Sequence, residues 1–327
     1  MSAPVLPLAR GAAGEAVRDL QRRLARAGYD LTGDEPGAFG EHTASAVSRF
    51  QEARGLRADD VCGTQTWNAL VEAGYGLGDR LLYERRPMLR GDDVAELQTR
   101  LGDLGFFADR VDGILGPQTA AAITDFQRNT GLTADGICGP DTIASLNRVQ
   151  RRTPPAVKAG VVERERLRTG PRRLDGRRIV VGQLGGLDAL ASTVGRFLQD
   201  QGAVVVTCTQ PEPSAQATEA NDFDADVYLG LDLSDDPGCR CSYYGRPDYE
   251  STGGRRLAER LAESLPGALD APRGTARRMQ LPVLRETRMV AVWCEVGPPA
   301  RVVEATAAIG RAVVRGFVDW AAAPVEG

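Results

Sequence analysis

Two small all-α repeat modules of three helices each, followed by an α/β domain with a mainly parallel sheet: three features of this sequence predict that architecture. A set of residues near the start recurs after an offset of about 77 positions, and a repeat of that length signals a duplicated supersecondary unit. Within both copies the apolar residues fall at helical spacing. Beyond the repeats, short runs of β-branched residues alternate with helical patterns, which is how a parallel sheet covered by helices reads.

The bulk composition sets outer limits on function. The chain has 327 residues, with 40 Lys plus Arg against 44 Asp plus Glu and a formal charge of -4. Such a balance argues against a general nucleic-acid binder, whose affinity depends on excess positive charge. Hydrophobic residues at 42% and charged residues at 26% fit folded protein of two or three units, and exclude whole-chain disorder or a fibrous architecture. No stretch approaches the roughly 20 apolar residues of a membrane span, and the start shows no basic segment followed by an apolar run. A cytoplasmic location is the resulting expectation. The six cysteines are dispersed, so their even number does not imply disulfides. Cys239 and Cys241 could form half of a metal site, but no second close pair follows and the single histidine, His42, is far away.

The repeat gives the helices of the first half in order. Val17, Leu20, Gln21 and Leu24 recur as Val94, Leu97, Gln98 and Leu101, and their spacing puts the apolar members on one helix face. With one residue dropped, Phe50-Gln51, Gly55-Leu56, Cys62-Gly63, Thr66 and Leu70 recur as Phe126-Gln127, Gly131-Leu132, Cys138-Gly139, Thr142 and Leu146. Val47 with Phe50 and Ile123 with Phe126 mark a second helix, and Trp67 with Leu70 and Ile143 with Leu146 a third. The loops Asp112–Thr119 and Asp135–Thr142 share the pattern Asp-Gly-x-x-Gly-Pro-x-Thr, in which glycine allows the turn and proline opens the next helix. The corresponding loops of the first copy, Pro36–Thr43 and Asp59–Thr66, are more degenerate. This places the modules at 1–75 and 81–150. Phe50, Phe126, Leu56 and Leu132 read as core, so ligand contact is expected from polar loop residues: Asp112, Gly113, Thr119, Gln127 and Asp135.

Residues 148–178 hold eleven basic residues against three acidic ones, with Pro154-Pro155 and Gly170-Pro171. The segment 151–178 therefore reads as a solvated basic linker. The α/β domain is expected over 179–323. Its strands are read at Ile179–Val181, Val204–Thr207, Val227–Leu231 and Val290–Glu295, and its helices near 188–201, 253–265 and 300–320.

The paired Leu-Gln helices, Gly-x-x-Gly-Pro-x-Thr loops, Phe-Gln pairs and Gly-Leu turns resemble the peptidoglycan-binding module of the PGBD1 type over residues 8–150. That likeness implies binding to wall glycan or stem peptide. The second half resembles zinc-dependent N-acetylmuramoyl-L-alanine amidases of the amidase_3 type. Leu281-Pro-Val-Leu-Arg-Glu-Thr-Arg-Met289 and Val290-Ala-Val-Trp-Cys-Glu-Val-Gly297 follow a run of that family, which puts Glu295 on its catalytic glutamate. Ala225–Asp232 follows the segment that ends in a zinc-binding histidine, and here that histidine is Asp232. Ile179–Gly186 follows the turn with the first zinc histidine, at which Leu184 stands, and the family's ligand glutamate has no counterpart because Gly186 leads almost directly into a helix.

A catalytic zinc needs about three protein ligands and an open position. With Leu184 and Asp232 at the expected positions, the chain is expected to hold no zinc and to need no cofactor. Glu295 keeps the family position without a metal-bound water to act on, and either binds a ligand or pairs with Arg285 or another arginine. Arg285 and Asp232 are the further ligand-contact candidates. Serine or cysteine catalysis would need a nearby base, and the α/β half has no histidine. Cys294 should face away from Glu295, and Cys208 reads as a buried thiol.

Two wall-binding modules joined to an amidase-like domain resemble the actinobacterial cytoplasmic regulators of cell-wall synthesis related to CwlM. The resemblance implies a catalytically silent protein that binds peptidoglycan or its precursors and acts through a partner, such as an early wall-precursor enzyme of the enolpyruvyl transferase kind. Control by a phosphorylated tail is not expected, since no Ser, Thr or Tyr follows Trp320. The alternatives are an active amidase with an atypical metal site built from Asp232, Glu295 and Cys239 or Cys241, and a wall-anchored protein exported by another route.

Overall fold

A computed structural model describes residues 5–107, 109–150, 160–246 and 249–323. The chain divides into two compact units, residues 1–161 and 162–327.

The first unit holds both modules. Helices α1 (Glu15–Arg26), α2 (Glu41–Ala53) and α3 (Thr64–Glu72) form the first, and α4 (Asp92–Asp103), α5 (Pro117–Thr130) and α6 (Pro140–Gln150) the second. Each packs the apolar faces that the spacing predicts. Val17, Leu20 and Leu24 meet Val47, Phe50 and Leu70 in one core, and Val94, Leu97 and Leu101 meet Ile123, Phe126 and Leu146 in the other. Tyr29 sits edge-on to Phe50 and Phe106 to Phe126, with ring centroids 5.8 and 5.4 Å apart. Short bridges tie the lead-in segments to the loops: Leu8 to Cys62 and Ala13 to Ala38, then Leu82 to Cys138 and Arg90 to Ile114. Cys62 and Cys138 are fully enclosed at these bridges, and burial pushes both thiols up to about 12. Arg54 links the modules by donating to both oxygens of Asp92 at 2.8 and 2.7 Å.

The second unit opens with a departure from expectation. The solvated-linker reading of 151–178 does not hold from residue 161, where helix α7 (Val161–Thr169) begins. Glu163 anchors it by accepting from Ser251 Oγ at 2.5 Å and from the Gly253 N–H at 3.1 Å. Arg151, Arg152 and Lys158 lie outside the described residues.

The sheet and its helices follow: β1 (Arg178–Gln183), α8 (Asp188–Gln199), β2 (Val204–Cys208), α9 (Pro213–Asp222), β3 (Val227–Leu233), β4 (Gly238–Arg246), β5 (Tyr249–Glu250), α10 (Thr252–Ser264), α11 (Pro266–Leu269), β6 (Thr275–Met279), α12 (Pro282–Glu286), β7 (Val290–Gly297), α13 (Pro299–Glu304) and α14 (Thr306–Ala322). The strand order is β2-β1-β3-β7-β4-β5, with β6 beside β4. Strands β2, β1, β3 and β7 run parallel, and β4 runs antiparallel to β7. Alternation along each strand divides the sheet into two faces. Ile179 and Val181, Val227, Leu229 and Leu231, and Val290, Val292, Cys294 and Val296 enter the main core, joined by Leu190, Leu257 and Phe317 from α8, α10 and α14. The helix expected over 300–320 is two, α13 and α14, which part at Ala305. Within the sheet domain, β4, β5, β6, α9, α11 and α12 had no counterpart in the sequence reading.

Candidate functional site

In the modules, the polar residues expected to touch ligand hold the loops. Gln127 of α5 is buried, and its Nε2 lies 2.9 Å from Asp135 Oδ1, 3.0 Å from the Ile137 carbonyl and 3.1 Å from Thr142 Oγ1. Its Oε1 accepts the Gly136 N–H at 2.9 Å. Gln98 of α4 repeats the arrangement with Asp112 Oδ1 at 2.8 Å, the Ile114 carbonyl and Thr119 Oγ1 both at 3.1 Å, and the Gly113 N–H at 2.8 Å. In the first module Gln51 does the same with Asp59, Val61 and Thr66, and Gln21 with the Glu35 and Ala38 carbonyls and Thr43. A buried amide must find such partners or forfeit its solvation. Each Leu-Gln or Phe-Gln helix thus clamps the loop after it, and the repeated Gln, Asp and Thr are explained by the fold.

One degenerate loop shows how the clamp survives change. Where Asp112 gives Gln98 a carboxylate, the first-module loop gives Gln21 the Glu35 carbonyl. Asp34 compensates at the start of α2 by accepting from the N–H groups of Gly40, His42 and Thr43 at 3.1, 3.3 and 2.6 Å. That is helix capping by a carboxylate.

Beside the second clamp of module 2 lies a groove of about 550 Å³, lined by Tyr83, Glu84, Pro117, Ala120, Ala121, Thr124, Asp135, Gly136 and Ile137. Of the predicted ligand contacts in this module, only Asp135 lines it. Tyr83 and Glu84, which the sequence reading missed, supply an exposed ring and a carboxylate on the lead-in segment.

In the α/β unit, Asp232 and Glu295 are direct neighbours across β3 and β7 and share the face opposite the main core. Glu295 is only 6% exposed. Its Oε2 accepts from Arg240 Nε on β4 and from Arg277 Nη2 on β6, both at 3.1 Å. Arg240 also donates to Asp236 at 3.0 Å and to Ser234 Oγ at 3.2 Å. Burial alone would lower the Arg240 pKa, but Asp236 and Glu295 outweigh it and hold the guanidinium charge more firmly. Arg240 and Arg277 both sit on Glu295, and Arg285 is half-buried in the last turn of α12. Asp232 Oδ1 accepts the N–H of Leu233 at 3.0 Å.

The residues at the position of the family's zinc do not fit that metal. Leu184 offers no donor atom and is 39% exposed on the turn after β1. Gln183 closes this turn on itself, its Oε1 accepting from Gly185 and its Nε2 donating to Asp188 at 3.0 Å. Helix α8 begins at Asp188, directly after the turn. Glu295 is engaged by two cations, an arrangement that competes with metal ligation. Cys239 and Cys241 belong to the core on the other face of β4, which removes both from an atypical site with Asp232 and Glu295. Among the described residues, no three His, Cys, Asp or Glu side chains gather as a metal site. Cys294 faces Cys241 across the sheet, Sγ to Sγ 3.0 Å, and so points away from Glu295. Cys208 is buried beside Glu219, and burial pushes its thiol up to about 12.

Comparison with known proteins gives the following. The family described as "Putative peptidoglycan binding domain" matches residues 13–70 and 90–146. The N-acetylmuramoyl-L-alanine amidase CwlM of Mycobacterium tuberculosis is 32% identical over 290 residues, covering 79% of this chain and 71% of that protein. The N-acetylmuramoyl-L-alanine amidase CwlL of Bacillus licheniformis is 34% identical over 148 residues, and this chain spans 41% of its length. Among solved structures, the amidase AmiC2 of Nostoc punctiforme is 20% identical and covers 45% of this chain and 98% of its own, with a TM-score of 0.37. The amidase Ami1 of Mycobacterium abscessus is 16% identical over 44% of this chain and 99% of its own, with a TM-score of 0.38. Among the described residues, no helix is long and apolar enough to cross a membrane.

Proposed function

This chain belongs to the CwlM family, and on that footing we propose that it is a catalytically silent amidase-like protein that binds peptidoglycan or its precursors and regulates cell-wall synthesis through a protein partner. The observation that carries this reading is the pairing of Glu295 with Arg240 and Arg277. A general base must be free to take a proton from water in reach of the scissile bond. Here the carboxylate oxygen is committed to two charge-assisted hydrogen bonds, and Leu184 offers no ligand for a metal that would activate the water. Duplicated peptidoglycan-binding modules beside such a domain suit recognition. The partner in this reading is an early wall-precursor enzyme, such as an enolpyruvyl transferase, met in the cytoplasm.

The test is incubation of the full chain with zinc and muropeptide, followed by chromatography for released stem peptide and elemental analysis for retained metal. We expect neither release nor near-stoichiometric zinc, and affinity capture from cytosol should recover a wall-precursor enzyme. The second reading is an active amidase, favoured by the adjacency of Asp232 and Glu295 on one sheet face. Stem-peptide release that disappears in Glu295→Gln would establish it and overturn the first.

A further inference from the structure

The two modules share their bridges, Leu8 with Cys62 and Ala13 with Ala38 in one, Leu82 with Cys138 and Arg90 with Ile114 in the other, and the lead-in of module 2 is three residues longer between them. The loops keep one offset, so Glu41 stands at the place of Pro117 and Asp60 at that of Gly136, while Arg10 and Glu84 each lie two residues past the first bridge of their own lead-in. In the first module, Arg10 spans this place: its Nε lies 3.4 Å from Asp60 Oδ2 and its Nη1 4.0 Å from Glu41 Oε1. The protein's own cation lies across the region that forms the groove in module 2.

The second module removes each part of that closure. Pro117 and Gly136 bring no charge, and the residue of the lead-in that lines the groove beside Tyr83 is a carboxylate, Glu84. Asp60 and Gly136 share a left-handed backbone, φ 54° and 73°, so the corner is the same and only its side chain is gone. A Cβ on Gly136 would come within 3.1 Å of Thr124 Oγ1, so the missing side chain is part of what opens the groove. Glu84 makes no ion pair or hydrogen bond among the described residues. Asp135 is held charged by the Ile137 N–H and the Gln127 side chain, which draw its pKa below the usual carboxylate value. It meets no cation among the described residues. Two uncompensated carboxylates thus face a floor of Pro117, Ala120, Ala121 and Ile137, with the Tyr83 ring at the rim.

We propose that this groove of module 2 binds a short peptide through a free primary ammonium group, and that module 1, closed by Arg10, does not. An ammonium group has three donors to divide between Glu84 and Asp135. Its methylene stem suits the alanine and isoleucine floor, and a ring can receive the cation on its face. That the peptide is a wall stem peptide rests on the peptidoglycan-binding reading above; the requirement for positive charge rests on the groove alone.

The experiment is calorimetric titration of the full chain with a muramyl tripeptide ending in L-lysine, and with the same peptide acetylated on its side-chain nitrogen. We expect one site per chain, about fivefold weaker binding after acetylation, the scale of a solvent-exposed ion pair, and a difference that shrinks with added salt. Glu84→Gln should shrink the difference between the two peptides, leaving the share that Asp135 supplies, and Tyr83→Ala should weaken both alike. Equal binding of the two peptides, an acetylation penalty that Glu84→Gln leaves unchanged, or two sites per chain would overturn the proposal. A parallel sedimentation assay with insoluble wall separates the two readings, since wall binding without ammonium dependence defeats only this proposal. Absence of wall binding, with the ammonium dependence retained, defeats only the peptidoglycan reading.

Discussion

Modules 1 and 2 share a frame and differ at a rim. Both keep Leu-Gln and Phe-Gln helices, the enclosed cysteine and the glutamine clamps, whereas Glu41 and Asp60 give way to Pro117 and Gly136, and the lead-in that carries Arg10 in one carries Tyr83 and Glu84 in the other. The residues that repeat most faithfully are those with inward bonds, and those that set binding are the ones that change. Repetition of a polar residue is thus a signal of folding here, and divergence at an exposed position is the better guide to ligand.

The largest effect of a single substitution at neutral pH is expected for Gln127→Leu. It should cost module 2 roughly 3 kcal/mol, because the Gly136 N–H, the Ile137 carbonyl and Asp135 lose a buried partner together. Hydrogen exchange read on α5 and α6 should rise while α2 and α3 stay protected; equal loss in both modules would break the independence of the frames. Alkaline unfolding comes next. Cys62 and Cys138 are raised from 9.0 to about 12, so the folded state keeps protons that the unfolded chain releases above pH 9. Stability should be intact below pH 9 and fall between pH 9 and 12, by roughly 1.4 kcal/mol per pH unit for each thiol. Cys62→Ala and Cys138→Ala should each remove one such slope in urea unfolding, and a slope removed by only one of them would show that the cores are not equivalent. The smallest effect is expected for Asp34→Ala, about 1 kcal/mol and confined to module 1, where it caps α2. Exchange at the first turn of α2 reads it, and unchanged protection there would show that the degenerate loop stands without its cap.

The legible part of this molecule is the part with a period. Val17, Leu20 and Leu24, or Val290 through Val296, declare helix and buried strand by spacing alone. Strand β4 does not, because its inward residues are Cys239, Cys241 and Tyr243 and its outward ones include Arg240, so the alternation has little contrast. Helix α9 buries only Gln216, Ala217 and Ala220, too faint a stripe to stand out. The position of Glu295 was readable, but its partners were not. Arg240 opposes Glu295 only through the antiparallel register of β4 on β7, and Arg277 joins only because β6 lies parallel to β4, and neither pairing is written in local sequence. Tyr83 and Glu84 escaped notice because they lie just before the second module's repeated helices, where nothing in the motif marks them.

The anchor of α7 decides where this protein can be divided. A cut at the first strand, near residue 178, would discard Glu163 and leave the Ser251 hydroxyl and the Gly253 N–H facing a vacated acceptor at the head of α10. A fragment starting near residue 160 keeps that acceptor. Biochemistry on the isolated α/β half should therefore begin before α7, and a poorly behaved shorter fragment would say more about a missing carboxylate than about the domain.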